Sequence, residues 1–290
     1  MSTRLHTLVL RVAAALACGA AFAGSAAAAG VNQVPSCYAA NKLELAPQAP
    51  QRAFFIVLDE TVVLDDSLKR SLWELVQPQL TPGTSFSVFR FSAFSQGKYL
   101  DVVASGELEM PVPGKLRDSI SVPKLRTVDA CLKGQGDYGS KLTRNAIGKV
   151  LQASSFDLGK SDIEGSLVAL AKAVREAKAP VRTVLLVSDM LENSSVTSFY
   201  QNKGVRNIDP AAELKKTEAA RLFADFGGAS VYVMGAGLIE VAAGAPTKAP
   251  GQYRDTRTMA SLERFWAQYF EKSNARLEAF GAPALLTIIK

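Results

Sequence analysis

Three short runs, FFIVLDE (54–60), RTVLLVSDM (182–190) and SVYVMGAG (230–237), are almost continuously apolar over the length of a strand. A strand that faces solvent on one side alternates apolar with polar residues, whereas one covered on both faces does not. These three are therefore expected at the centre of a sheet with helices on both sides. The intervening segments supply those helices. Leu68, Leu72, Leu75, Val76 and Leu80 recur at helical spacing and stop at Thr81-Pro82-Gly83. Ile163, Leu167, Leu170 and Val174 form a second apolar stripe, ended by Pro180, with Ser161 and Glu164 spaced as a capping box. Asp209-Pro210 is a cap followed by proline at the first helical position and opens a helix expected over 210–226. Leu262, Phe265, Trp266, Tyr269 and Phe270 mark a last long helix that belongs to the core by its amphipathic spacing. Strands alternating with helices in this order predict an α/β fold: a doubly wound, mostly parallel central sheet flanked by helices.

Two further strands, SFSVFRFSAF (85–94) and YLDVVASGEL (99–108), are expected to pair as a hairpin across Gln96-Gly97-Lys98, and ALLTIIK (284–290) is expected at a sheet edge. Residues 109–160 break the pattern. They carry Pro111, Pro113, Gly114, Pro123 and the Gly134-Gln135-Gly136 turn, and predict an irregular insertion with a helix only from Lys141 to Gln152.

The first 29 residues have the pattern of a secretory signal peptide: Arg4 and Arg11, then VAAALACGAAFA and a run of small residues. Cleavage after Ala23 and after Ala29 both satisfy the small-x-small preference. The apolar stretch is shorter than the ~20 residues a membrane anchor needs, and Leu16 is one place off for lipidation of Cys18. The expected organisation is a signal peptide at 1–29, an N-terminal arm at 30–51 and one α/β domain at 52–290, exported to the periplasm or secreted. Loss of Arg4 and Arg11 takes the formal charge from +6 to +4. No cluster of Lys and Arg interleaved with aromatics suggests nucleic acid.

Cysteine and histidine counts restrict the chemistry. Without Cys18, an oxidising compartment favours a disulfide between Cys37 and Cys131. The single histidine, His6, also lies in the signal segment. A mature chain without histidine excludes Ser-His-Asp and Cys-His mechanisms and imidazole ligation of zinc.

In an open α/β sheet, ligands bind beyond the carboxyl ends of the strands. Two of the apolar runs end there in Asp59 and Asp189, with the hydroxyls of Thr61 and Ser161 on adjoining loops. That all-oxygen set suits a hard divalent cation, Mg²⁺ or Mn²⁺. Asp65 and Asp66 fit simply as acids at the start of the following helix, and Glu192 with the polar loop 192–207 is expected to flank the same surface.

The stretch from about 52 to 240 resembles a von Willebrand factor type A domain. It has an apolar strand ending in an Asp-x-Ser-x-Ser-like element (Asp59-Glu60-Thr61-Val62-Val63), a helix-starting loop with a hydroxyl (GKSDIEGSL, Ser161) and a later strand ending in Asp (LLVSDM, Asp189). The resemblance implies a metal-ion-dependent adhesion site that holds Mg²⁺ or Mn²⁺, takes a carboxylate from a protein partner and can work within a larger envelope assembly. Thr61 and Ser161 keep the hydroxyls; Val63 removes one, and Met190 stands where glycine is common. Non-enzymatic protein binding is thus expected. The alternatives are a haloacid-dehalogenase-like phosphohydrolase using Asp59 and Ser188, and a structural envelope protein with a decayed site. Gly159-Lys160-Ser161 imitates the tail of a phosphate-binding loop, but no buried strand leads into it.

Overall fold

A computed structural model describes residues 31–44, 48–92, 100–155, 161–201, 204–239 and 255–290. The signal segment with His6 and Cys18, the 96–98 turn, Gly159-Lys160 and the Gly/Pro-rich loop 243–251 lie outside the described residues.

In chain order the elements are a short helix α1 (Cys37–Ala40), β1 (Arg52–Asp59), α2 (Asp66–Val76) with a trailing 3₁₀ turn (Gln77–Gln79), β2 (Thr84–Phe91) and β3 (Asp101–Glu107). Then come α3 (Gly114–Arg117), α4 (Val122–Ala153), α5 (Ile163–Glu176) and β4 (Val181–Val187). The chain finishes with β5 (Tyr200–Gln201), β6 (Gly204–Val205), α6 (Pro210–Ala219), β7 (Ala229–Met234), α7 (Thr256–Lys272) and β8 (Ala275–Gly281). Six strands form one sheet in the order β3-β2-β1-β4-β7-β8. β3 is antiparallel to β2, as the expected pairing of these two segments requires, and every other pair is parallel. The two-residue strands β5 and β6 pair separately. The fold is therefore α/β and doubly wound.

The period of two along β1 divides the core. Phe54, Ile56 and Leu58 pack with Leu68, Leu72 and Val76 of α2 and Ala146, Ile147 and Val150 of α4. Ala53, Phe55 and Val57 face the other way, in one cluster with Ile163, Leu167 and Leu170 of α5 and Leu262, Phe265 and Trp266 of α7. Helix starts follow their caps. Asp65 accepts from Leu68 N ahead of α2, and Asp209 accepts from Ala211 N ahead of α6.

Four sequence expectations are corrected. Residues 109–160 are not an irregular insertion, because 32 of them form the single helix α4. Its buried stripe runs through Val128, Gln135, Gly139, Thr143, Ala146 and Val150, so polar and glycine positions complete a helical face. The α5 cap is Asp162, whose side chain accepts from Gly165 N; Ser161 is freed for another role. The helix expected over 210–226 is shorter, and α6 ends at Ala219. Finally, the edge strand is β8 rather than 284–290, where Leu285 and Ile289 tuck into the core and Gln79 donates to the Ile289 carbonyl at 3.0 Å. The α1 arm is joined to α4 by the disulfide Cys37–Cys131. No helix among the described residues is long and apolar enough to cross a membrane.

Candidate functional site

The chain leaves β1 for β2 on one side and returns to β4 on the other, so the crevice between the β1 and β4 carboxyl ends is the topological switch point of the sheet. One residue beyond the paired Leu58 and Val187 come Asp59 and Ser188, with Asp189 next. Burial of both strands on two faces fixes their register and hence the height of these side chains.

Asp59 is the centre of a buried polar knot. Its Oδ1 accepts from Thr61 N at 2.9 Å and Thr61 Oγ1 at 2.6 Å. Its Oδ2 accepts from Ser188 Oγ at 2.8 Å and Ser161 Oγ at 3.2 Å. Four donors thus saturate a carboxylate that is only 2% exposed. The sequence brings Asp59, Thr61 and Ser161 together as expected, across a separation of about 100 residues between Asp59 and Ser161. Ser188 supplies a third hydroxyl that the adhesion-site pattern did not identify; its position directly before Asp189 was the available signal. Glu60 turns away from the knot and pairs with Arg90 at 3.1 Å.

Asp189, also 2% exposed, is held differently. Its Oδ1 accepts from Leu191 N at 2.9 Å, and its Oδ2 accepts from the Tyr200 phenol at 2.6 Å. Tyr200 lies at the start of β5, in the polar loop expected to flank this surface. Its hydroxyl instead reaches inward. Glu192 is corrected likewise: it is fully buried and offers no surface to a partner.

Neither aspartate forms an ion pair among the described residues. Burial pushes both carboxyls above the ordinary aspartate range. For Asp59 the hydrogen bonds from Thr61, Ser188 and Ser161 oppose that shift, and for Asp189 the neighbouring Asp59 charge adds to it. The Tyr200 phenol is raised too, by burial and then by Asp189. Two close buried acids without a basic partner are costly to ionise together, a cost that a proton or a cation relieves. Among the described residues no set of three or more His, Cys, Asp or Glu is arranged to hold a metal. A cation here would rest on two carboxylates, hydroxyls and water.

The backbone around the site is specialised. Gly235, at φ +100° after β7, brings its Cα so near the Ser188 carbonyl that an added Cβ would sit 3.0 Å from that oxygen. Gly237 N then donates to the Asp189 carbonyl at 2.7 Å. Met190 adopts φ +60°, the left-handed conformation glycine takes easily, so the glycine-like geometry persists without the glycine.

No family model matches the chain, and no curated protein matches it. Among solved structures the chain is similar to an aerotolerance-related membrane protein from Bacteroides fragilis NCTC 9343, crystallised with multiple mutations to serines. The identity is 12% and the TM-score 0.32, over 79% of this chain and 90% of that one.

Proposed function

We propose that this chain is an exported von Willebrand factor type A-like module of the cell envelope that binds another protein through a divalent cation held at the β1–β4 switch point. The observation that carries the reading is the buried Asp59, bonded by the hydroxyls of Thr61, Ser161 and Ser188, with the buried Asp189 as its neighbour and neither joined to a basic side chain among the described residues. The donor set fits Mg²⁺ or Mn²⁺. Every candidate ligand is a hard oxygen, and magnesium readily keeps several waters where protein ligands are few. Asp59, Thr61, Ser161 and Asp189 would hold the ion, and Ser188 offers the hydroxyl that Val63 cannot. Val63 itself is 38% exposed, so its isopropyl group is partly on the surface.

When bound, the cation balances both aspartates and leaves a coordination position for a carboxylate from a protein partner. The chain's own residues do the rest. Asp59 orients three hydroxyls, the Gly235 and Gly237 turn fixes the Asp189 backbone, and Tyr200 controls how far the Asp189 carboxylate is committed elsewhere.

Isothermal titration of metal-stripped mature protein with Mg²⁺ and Mn²⁺ tests the reading. Saturable binding, lost in Asp59→Ala and Asp189→Ala, is the expected result. Silence in a wild-type protein whose circular dichroism reports an intact fold would leave a structural envelope module instead. In the same titration Tyr200→Phe is expected to bind about three- to tenfold more tightly, because a charge-assisted donor competing for Asp189 has gone. Unchanged affinity would mean that Asp189 Oδ2 takes no part.

Enzymatic use of Asp59 is disfavoured because β7 ends in Met234 followed by Gly235 and supplies no further acid to hold magnesium beside an aspartyl nucleophile. A generic phosphoester with Mg²⁺ is expected to show no turnover.

A further inference from the structure

Glu164, in the first turn of α5, and Glu192, in the loop after β4, are both fully buried. Glu192 Oε2 accepts from Glu164 N at 3.0 Å, which brings the Glu192 carboxyl against the start of α5. Glu164 Oε1 accepts from Thr217 Oγ1 of α6 at 2.8 Å. The two remaining oxygens, Glu164 Oε2 and Glu192 Oε1, are buried with no hydrogen-bond partner. Neither carboxyl forms an ion pair among the described residues. The basic side chains closest in the network, Arg206 and Lys216, are already paired with Glu213 of α6 at 2.8 and 3.0 Å.

Apart from Arg206 and Lys216, the groups facing the pair bring no positive charge. They are Asp162 at the α5 cap, the Ser194 hydroxyl beside Glu192, Glu213 with its two cations, and from α7 the Tyr269 phenol, which donates to the Leu222 carbonyl at 3.0 Å. Two buried carboxylates in such a place cannot both stay ionised without a large penalty. Buried acids resolve this by staying protonated.

We infer that Glu164 and Glu192 stay protonated at neutral pH, and that this protonation latches the segment following Asp189 onto the first turn of α5. A proton removes the charge from a carboxyl whose free oxygen is buried without a donor. The latched segment includes Asn193, whose N donates to the Ser161 carbonyl at 2.9 Å, and Phe199, whose N donates to the Glu192 carbonyl at 2.8 Å. Tyr200 follows immediately, so the latch also sets the position of the phenol on Asp189. The inference stands whether or not a cation binds at Asp59.

Burial is the main reason for the raised pKa values, about 7 for Glu164 and about 8 for Glu192. Thr217 opposes the shift at Glu164 while Asp162 and Glu213 add to it; Ser194 opposes it at Glu192 while Glu164 adds to it. The sign follows. The folded chain keeps a proton that the unfolded chain loses near pH ~4.3. The latch is therefore at full strength in acid and is lost as pH rises through neutrality.

Carboxyl ¹³C NMR of glutamate-labelled, metal-free protein tests this directly, with amide hydrogen exchange across 193–199 as a second readout. Wild type is expected to show glutamate resonances titrating near neutral pH, and exchange at Asn193 and Phe199 that accelerates beyond the intrinsic base-catalysed rise. In Glu192→Gln a permanently neutral amide replaces the acid, so its neutral-range resonance and the pH-dependent exchange should vanish. Wild-type glutamates that all titrate in the ordinary carboxylate range would overturn the proposal even if that variant does not fold. Neutral-range resonances that shift when Ca²⁺ is added would also overturn it, in favour of a second cation site.

Discussion

Reduction of the Cys37–Cys131 disulfide is expected to lower the melting temperature by roughly 10–15 °C. The bond closes a loop of 94 residues, for which the loop-entropy argument gives ~4–5 kcal/mol. At ~2–4 °C per kcal/mol for a domain of this size, that sum sets the shift. The bond joins the arm to α4, an element that the sheet already holds through Ala146, Ile147 and Val150. The arm itself has little else to bury. Val34 and Cys37 are its core residues, and its polar anchors include Cys37 N to Glu109 Oε2 at 2.7 Å, Gln135 Nε2 to the Pro35 carbonyl at 2.9 Å, Gln33 N to the Ser105 carbonyl at 3.0 Å and Glu107 N to Asn32 Oδ1 at 3.1 Å. Such bonds, about 1 kcal/mol each net, hold the docked arm but do not restore the constraint that the cross-link places on the unfolded chain. Calorimetry of wild type with and without reductant, beside a Cys37→Ser/Cys131→Ser variant, measures the effect. A melting temperature unchanged on reduction would show that docking of the arm, not the covalent link, supplies the stability.

The contrast between α4 and the three central strands shows where the sequence is informative. β1, β4 and β7 are legible because burial on both faces demands unbroken apolar runs, and nothing else of that length does. α4 is hidden because its inward face is built partly from residues that usually argue against a helix. Gly139 lies under Leu108, where a Cβ would come within 2.8 Å of Leu108 Cδ2; Gln135 is buried because its side chain bridges Pro35 and Glu109. Tertiary contact overrides the cost of about 1 kcal/mol for each interior glycine. The site divides in the same way. Asp59 and Asp189 are visible as acids at strand ends, and Thr61 and Ser161 as hydroxyls on the adjoining loops. Tyr200 and the Glu164–Glu192 pair are not, because each depends on a loop folding back onto the sheet, and loop composition carries no sign of which side chains turn inward.

Trp266→Ala is expected to destabilise the domain by about 3–5 kcal/mol, and its effect should reach the site. Trp266 is fully buried among Phe199, Phe265, Tyr269 and Phe270, with Phe265 edge-on at 5.0 Å between ring centroids. Truncation leaves a cavity that this many rings cannot collapse into. Trp266 Nε1 also donates to the Met190 carbonyl at 2.9 Å. Met190 sits at φ +60°, a conformation that costs a non-glycine residue on the order of 1–3 kcal/mol and persists only where its surroundings enforce it. The indole therefore does two things, filling the core and pinning the strained turn that aims Asp189. Trp266→Phe separates them. It keeps most of the apolar volume and removes the donor, so it should cost only ~1–3 kcal/mol, chiefly from a buried carbonyl left without its partner. Chemical denaturation measures both costs, and Mg²⁺ titration of the folded Phe variant measures the second role. Weaker cation binding by a variant that remains folded would tie α7 to the site, while unchanged binding would confine Trp266 to packing.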